Sequence, residues 1–194
     1  MPETHGIEAG DLIADWVLWG PVGSQVCCVV PTPAGANLFR QRGERGFQDS
    51  IAAWLRHQTI SAELRVMAAA PAVGEPPGSR PRRPGLRVLK QTRDAVTAEM
   101  LVPFDLAIFA GHFPWVPIVP GAVLVGWAAE LAATHGLWPH GVVAATALKF
   151  RRIVQPGPAY HLHVERNAAG DRLAFRIESA GVPHAYGALA APAS

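Results

Sequence analysis

Between Gly111 and Gly121 the chain places three prolines and two glycines in eleven residues, then runs directly into an apolar stretch. Proline fixes φ and lacks a backbone donor, so this segment excludes continuous helix or central strand and holds the backbone on an irregular path. One histidine lies inside it, in Phe109-Ala110-Gly111-His112-Phe113-Pro114-Trp115-Val116-Pro117-Ile118-Val119-Pro120-Gly121. A loop constrained in this way in front of a helix marks a site rather than a plain turn. The apolar residues that follow, among them Ala122, Val123, Val125, Ala129 and Ala132, fall on nearly every side of a helix from about Pro120 to His135. That pattern predicts a helix buried all round. Alternation predicts strands at Ala95 to Val102, Val142 to Phe150, Tyr160 to Arg166, Leu173 to Ser179 and His184 to Leu189, separated by Gly, Pro, Asn and Asp turns. One long helix among antiparallel strands is an α+β arrangement in which the sheet wraps the helix.

At 194 residues, with 49% apolar content and 16% charged residues, the chain can bury a core and is not disordered throughout. Its net charge of +2, from 17 basic and 15 acidic residues, is too even to imply nucleic acid as a partner. Cys27 and Cys28 are the only cysteines and are adjacent, which hinders a disulfide and suits a reducing cytoplasm. No apolar run approaches the roughly 18 residues of a membrane span, and the first residues carry no basic leader, so the expectation is a cytoplasmic chain without a membrane span.

Residues 70–85 read APAVGEPPGSRPRRPG and break all periodicity, which places a boundary there. The expected domains are therefore an N-terminal accessory module with its linker at 1–84 and a second domain at 85–194. Arg80, Arg82, Arg83, Arg87, Lys90 and Arg93 make the linker and its exit basic. They could dock an acidic carrier protein or form an ordinary solvated charge run. Upstream, Gln25 to Val30 is strand-like, Gly46 to Ser50 leads into the helical spacing of Ile51, Ala52, Trp54, Leu55 and Gln58, and Leu64 to Met67 suggests another strand. In order and composition the stretch from Val26 to about Arg83 resembles the small C-terminal subdomain of adenylate-forming acyl ligases. It has Gly78-Ser79-Arg80 where that subdomain has its lysine, and the only lysines here are Lys90 and Lys149. The resemblance therefore implies an accessory α/β remnant without adenylation chemistry.

Gly111-His112-Phe113-Pro114, Pro117-Ile118-Val119-Pro120-Gly121, and Leu148-Lys149-Phe150-Arg151-Arg152 with Pro156-Gly157 beyond resemble the hotdog-fold 3-hydroxyacyl-carrier-protein dehydratases of fatty-acid synthesis. The similarity spans about Arg87 to Ala190 and is greatest to their aryl-polyene-type relatives. It implies a hotdog fold and the loss of water from a 3-hydroxyacyl thioester, a hydro-lyase reaction. The substrate would be carried on the phosphopantetheine of an acyl carrier protein or on coenzyme A, with no other cofactor. Such chemistry needs a base for the C2 proton, an acid for the departing hydroxyl and donors for the thioester carbonyl. By resemblance His112 is the base and the Gly121 N–H, at the start of the helix, polarises the carbonyl.

The resemblance fails at one position. The family carries Glu or Asp fourteen residues after the histidine, often in an acid-Trp-Ala triplet, and this chain has Gly126-Trp127-Ala128. Glu130 lies one turn further on the same helix face and either reaches toward the site or pairs with a neighbour. The family also assembles as dimers with the site at the interface, so a homodimer or a heterodimer with another hotdog subunit could supply the carboxylate. Phe113, Trp115, Pro117, Val119 and Trp127 are the expected substrate-binding residues. Trp115 stands where the family usually has a small residue and would narrow the entrance, while Trp127 fits a tunnel wall or core packing equally. Arg151 and Arg152 meet either phosphopantetheine or a carrier-protein acid, or water at a sheet edge. His161 and His163 share a strand face, but no third ligand is placed, so a metal is not expected. Two other readings stay open: a catalytically impaired carrier-protein-binding scaffold, and a thioesterase.

Overall fold

The computed structural model describes residues 9–58, 60–72, 75–111, 115–138 and 144–190. The chain forms two compact units, and the first is discontinuous in sequence: residues up to Arg82 together with Pro103–Pro117. The second comprises Arg83–Val102 and everything from Ile118 onward. The chain first crosses between units two residues before the boundary expected at 84/85. It then returns to the first unit for Pro103–Pro117, which holds the first part of the Gly/Pro segment.

In the first unit a short helix α1 (Ala9–Leu12) leads into β1 (Ile13–Trp19), β2 (Gln25–Pro31), helix α2 (Pro33–His57) and β3 (Ala62–Val66). The sheet order is β1-β2-β3. β1 runs antiparallel to β2, and β2 parallel to β3 across the α2 crossover. The central strand buries Cys27, Cys28 and Val29 in succession, as a strand covered on both faces must. α2 begins much earlier than its sequence signal at Ile51 suggests. Thr32 caps it by accepting a hydrogen bond from the Gly35 N–H at 3.1 Å, with Pro33 in the first turn. Its buried residues, Gly35, Phe39, Gly43, Phe47 and Ile51, recur every four positions and form one stripe. Within that stripe Gly43 takes φ 67 and ψ −175, a backbone state open to glycine, and breaks α2 into two halves. Phe39 meets Phe47 and Phe104 edge to face, with centroids 6.3 and 5.4 Å away.

The second unit contains β4 (Gly85–Gln91), β5 (Ala95–Leu101), helix α3 (Gly121–Thr134), β6 (Ala144–Phe150), β7 (Ala159–Arg166), β8 (Arg172–Ser179) and β9 (Val182–Ala190). All neighbours in the order β4-β5-β7-β8-β9-β6 pair antiparallel. The expected alternation holds: Val96, Ala98 and Met100, then Tyr160, Leu162 and Val164, then Leu173, Phe175 and Ile177 are buried. α3 packs on β7 and β9. β4 has no counterpart among the expected strands, because Arg87 and Lys90 interrupt its apolar residues and it is exposed throughout. β6 is bulged between Thr146 and Lys149, where Ala147 takes φ 52.

One expectation is corrected. α3 is not buried all round, since only Leu124, Trp127, Ala128, Leu131 and Ala132 are buried, while Ala122, Gly126 and Ala133 face outward. An apolar residue on a helix need not be covered by its own chain.

Candidate functional site

The start of α3 is built by a close approach. A Cβ added to Gly121 would lie 2.6–2.9 Å from the Cζ, Cε1 and Cε2 atoms of Phe150, so glycine lets the ring of β6 lie directly over the first helical residue. Pro120 precedes it as an N-cap without a side-chain acceptor. The first helical bonds run from the Val123 and Leu124 N–H groups to the Pro120 carbonyl, at 3.0 and 3.1 Å. Among the described residues, the Gly121 and Ala122 N–H groups have no backbone acceptor. They carry the positive end of a 14-residue helix, an arrangement suited to a carbonyl oxygen that gains negative charge. The approach to the helix is fixed by buried Val119, whose N–H donates to the Val154 carbonyl at 2.9 Å.

Further along α3, a Cβ on Gly126 would meet no atom within 4 Å, so that position opens onto unfilled space. Glu130, one turn on, is paired with Arg83 at 2.9 Å. Together with buried Trp127, Leu86, Val88, Leu131 and His135 they line a cavity of about 250 Å³. Of the two readings of Glu130, the described contacts match the carboxylate that pairs with a neighbour. Trp127 is buried in the core and also lines this cavity.

In the first unit, Trp115 is 58% exposed, with the Arg45 guanidinium 5.2 Å from its ring centroid. Pro117 is buried and, with Phe109 and Ala110, lines a cavity of about 500 Å³ against Phe39 and residues of α2 from Gly43 to Asp49. His112 and Phe113, the expected base and its neighbour in the loop, lie outside the described residues.

Arg151 and Arg152 are exposed beyond the end of β6, and both N–H groups donate to the His184 carbonyl, at 2.7 and 3.1 Å. The Arg151 guanidinium donates to the Tyr186 hydroxyl at 3.4 Å and, through that bond, holds the phenol below its usual range. Three of the six basic residues of the linker and its exit are paired within the chain. Arg80 pairs with Glu44 and Glu63, Arg83 with Glu130, and Arg87 with Glu99. His163 hydrogen-bonds Thr97 at 2.8 Å and lies 3.7 Å from Glu165. Among the described residues no group of three or more His, Cys, Asp or Glu side chains is arranged to hold a metal.

Sequence reading passed over the buried pair Arg65 and Asp105. The Arg65 Nε and Nη2 both donate to one Asp105 carboxylate oxygen, at 2.8 and 2.5 Å, and its Nη1 donates to the Gly78 carbonyl. A signal for it existed. Arg65 lies in a short, largely apolar strand, and Asp105 is the lone charge between Val102 and Ala110. Isolated charges inside apolar runs must find partners if the runs are buried.

The family described as ApeI-like, ApeI dehydratase, matches residues 88–188. The 3-hydroxyacyl-[acyl-carrier-protein] dehydratase FabZ of Rickettsia massiliae is 38% identical over 87 residues, which are 40% of this chain and 60% of that protein. The corresponding protein of Rickettsia akari is 40% identical over 63 residues, covering 28% of this chain and 43% of the relative. The chain thus spans less than two thirds of these relatives' length. Among solved structures, the dehydratase heterocomplex ApeI:P from Xenorhabdus doucetiae superposes with a TM-score of 0.52 at 21% identity, over 56% of this chain and 96% of that one. The likeness establishes the second unit as a hotdog fold.

Proposed function

This chain belongs to the ApeI-like dehydratase family, and on that premise we propose that it removes water from a 3-hydroxyacyl thioester to form a trans-2-enoyl thioester. The observation that carries the proposal is the start of α3. There Gly121 lies under Phe150, and two N–H groups without backbone acceptors among the described residues present a donor pair to a thioester carbonyl. The pair stabilises the charge that develops on the carbonyl oxygen as the C2 proton leaves. His112 takes that proton. The C2–H electrons become the C2–C3 double bond, the C3–O bond breaks, and the hydroxyl departs as water once an acid protonates it. Phe113, Trp115, Pro117, Val119 and Trp127 bind the acyl chain in this reading. The acyl group arrives on the phosphopantetheine of a carrier protein or on coenzyme A, with Arg151 and Arg152 facing its acidic groups, and no further cofactor is used. A cytoplasmic setting, where such thioesters are made and thiols stay reduced, suits the buried Cys27 and Cys28.

The acid comes from a second hotdog subunit. Gly126 leaves open space on the outward face of α3, and the Glu130 carboxylate is already engaged by Arg83. β4 is exposed along its whole length, with Leu86, Val88 and Leu89 each 41–44% accessible, as expected of a strand that a partner covers. The solved heterocomplex of a relative makes a hotdog partner a natural candidate. The contrasting reading, a carrier-protein-binding subunit without its own chemistry, also starts from Gly126.

The test uses the purified chain with 3-hydroxybutyryl and 3-hydroxydecanoyl thioesters of coenzyme A and of acyl carrier protein, followed for enoyl product and for free thiol. Slow enoyl formation, accelerated by an added hotdog subunit that carries the acid, is expected. Carrier-protein binding without either product, alone or with the added subunit, would replace the enzyme with the scaffold. Free thiol without enoyl would indicate thioester hydrolysis.

A further inference from the structure

We propose that the outer face of the second unit's sheet, at β6, β8 and β9, is a docking surface for the acidic carrier protein that delivers the thioester. The carrier sits on an apolar trough rimmed by Lys149, Arg151, Arg176 and Tyr186. The identity of the partner rests on the thioester reading above; the surface itself does not.

The face follows from the register. Lys149 of β6 and Arg176 of β8 both stand opposite Tyr186 of β9, so the three side chains form one row on the same side of the sheet. The residues that alternate with them, Phe175, Ile177 and Ala185, are buried on the other side. Two residues along, the next outer row is Ala174, Ala188 and Thr146. Small side chains there lower the surface beside the tall row. Between the rows β6 is bulged: Ala147 and Leu148 together oppose Gly187, and Ala147 takes φ 52. The result is a trough of about 620 Å³ lined by Ala147, Ala174, Gly187 and Ala188, with Arg176 and Tyr186 as its wall.

Charge sets this part of the face apart. Arg87, Arg166 and Arg176 each pair with a carboxylate of the same unit, at 2.9, 2.6 and 2.6 Å. Lys149, Arg151 and Arg152 have no carboxylate within ion-pair distance among the described residues. The Tyr186 phenol registers the imbalance. A hydrogen bond from Arg151, and then the charges of Arg151 and Lys149, hold it below its usual range. An apolar trough beside uncompensated cations fits a protein surface that presents carboxylates around an exposed apolar side chain. A second copy of this face would bring three more uncompensated cations instead.

The surface also lies where a tethered substrate needs it. Phe150, whose ring covers Gly121 at the start of α3, stands between Lys149 and Arg151 in the chain. The strand thus turns a cation to the outer face and a ring to the donor pair, one residue apart. A carrier held at this end of the sheet stands beside the strand end, and its flexible arm is the part that reaches the Gly121 and Ala122 N–H groups. The carrier must leave after each turnover, and a small interface steered by charge suits such an encounter.

The experiment uses the full chain as wild type, Lys149→Glu, Ala174→Trp and Lys90→Glu, with thermal unfolding to confirm that each is folded. Binding of phosphopantetheine-loaded acyl carrier protein is measured by titration calorimetry. Lys149→Glu replaces an attraction by a repulsion and should raise the Kd about 5- to 10-fold. Ala174→Trp fills the trough without changing charge and should raise it about 5-fold or more. Lys90→Glu makes the same charge reversal on β4, at the opposite edge of the sheet, and should leave the Kd unchanged. In turnover, the ratio of kcat/KM for the carrier-bound thioester to that for the coenzyme A thioester should fall by the same factors in Lys149→Glu and Ala174→Trp. No binding by wild type, wild-type affinity in either Lys149→Glu or Ala174→Trp, or a comparable loss in Lys90→Glu would overturn the proposal. An unchanged ratio would overturn it too, by assigning the cations to the phosphate that both carriers share. Binding with the expected losses but without enoyl product refutes the dehydratase reading alone and leaves the docking surface standing.

Discussion

Gly126→Glu restores the acid-Trp-Ala triplet that the family resemblance implies, and its effects divide cleanly. Glycine in a helix interior costs about 1 kcal/mol relative to alanine. A Cβ at 126 meets nothing within 4 Å, so no steric penalty offsets the gain. Gly126→Ala should therefore stabilise the chain by about 1 kcal/mol, several degrees in melting temperature for a unit of this size. Glutamate is a slightly poorer helix former, and a like charge four residues before Glu130 takes back a few tenths of a kcal/mol. Pairing of Glu130 with Arg83 limits that repulsion, so Gly126→Glu should gain roughly half as much as the alanine variant. Activity separates the two variants further. A positioned general acid contributes typically 10²- to 10⁴-fold. Enoyl formation by the isolated chain should therefore rise by about that factor in Gly126→Glu and stay flat in Gly126→Ala. The assay is enoyl-thioester formation by the isolated chain, alongside thermal unfolding of each variant. A Gly126→Glu protein that is folded, melts no lower than wild type and turns over no faster than Gly126→Ala would refute the argument that the missing carboxylate limits this site.

The thiols give a pH-dependent expectation. Burial, followed by the neighbouring Cys28, pushes the Cys27 thiol up to about 11 from 9.0, and burial also raises Cys28. A thiol raised in the folded state favours folding while it stays protonated. That contribution is complete below pH 9 and is lost as pH rises toward 11; for Cys27 it is about 2–3 kcal/mol. Urea unfolding at pH 8 and pH 10.5 should show the fall, and alkylation of Cys27 in the native protein at pH 8 should run about 100-fold slower than in urea because so little thiolate is present. Equal alkylation rates would contradict the burial. For the exposed pair of Arg83 and Glu130, Glu130→Ala should cost under about 1 kcal/mol. It should also leave enoyl formation by the complex with an acid-bearing hotdog partner unchanged, and a large rate loss there would return the acid role to Glu130.

Much of the second unit was legible because its information is local. The alternation in β5, β7, β8 and β9 is written residue by residue, and so are the Pro/Gly path into Gly121 and the absence of a side chain at position 126. β4 was not legible, since Arg87 and Lys90 interrupt the apolar pattern of Leu86, Val88 and Leu89. The front half of α2 was missed for a related reason: its buried stripe passes through Gly35 and Gly43, which read as breakers in sequence. Of the site residues, Gly121 could be named from its place before an apolar helix, but the Phe150 ring that makes glycine necessary there arrives from β6.

By itself, then, the sequence determined the periodicities and the lack of a side chain at position 126, since each is local to the chain, and its motifs carry the resemblance that implies the fold. Tertiary structure alone decided which unit owns the segment from Pro103 to Pro117. That ownership rests on Arg65 meeting Asp105 across 40 residues, on Phe39 meeting Phe104, and on Arg45 covering Trp115. Burial drives such charges and rings to find partners, but only the folded backbone determines which partners come within reach.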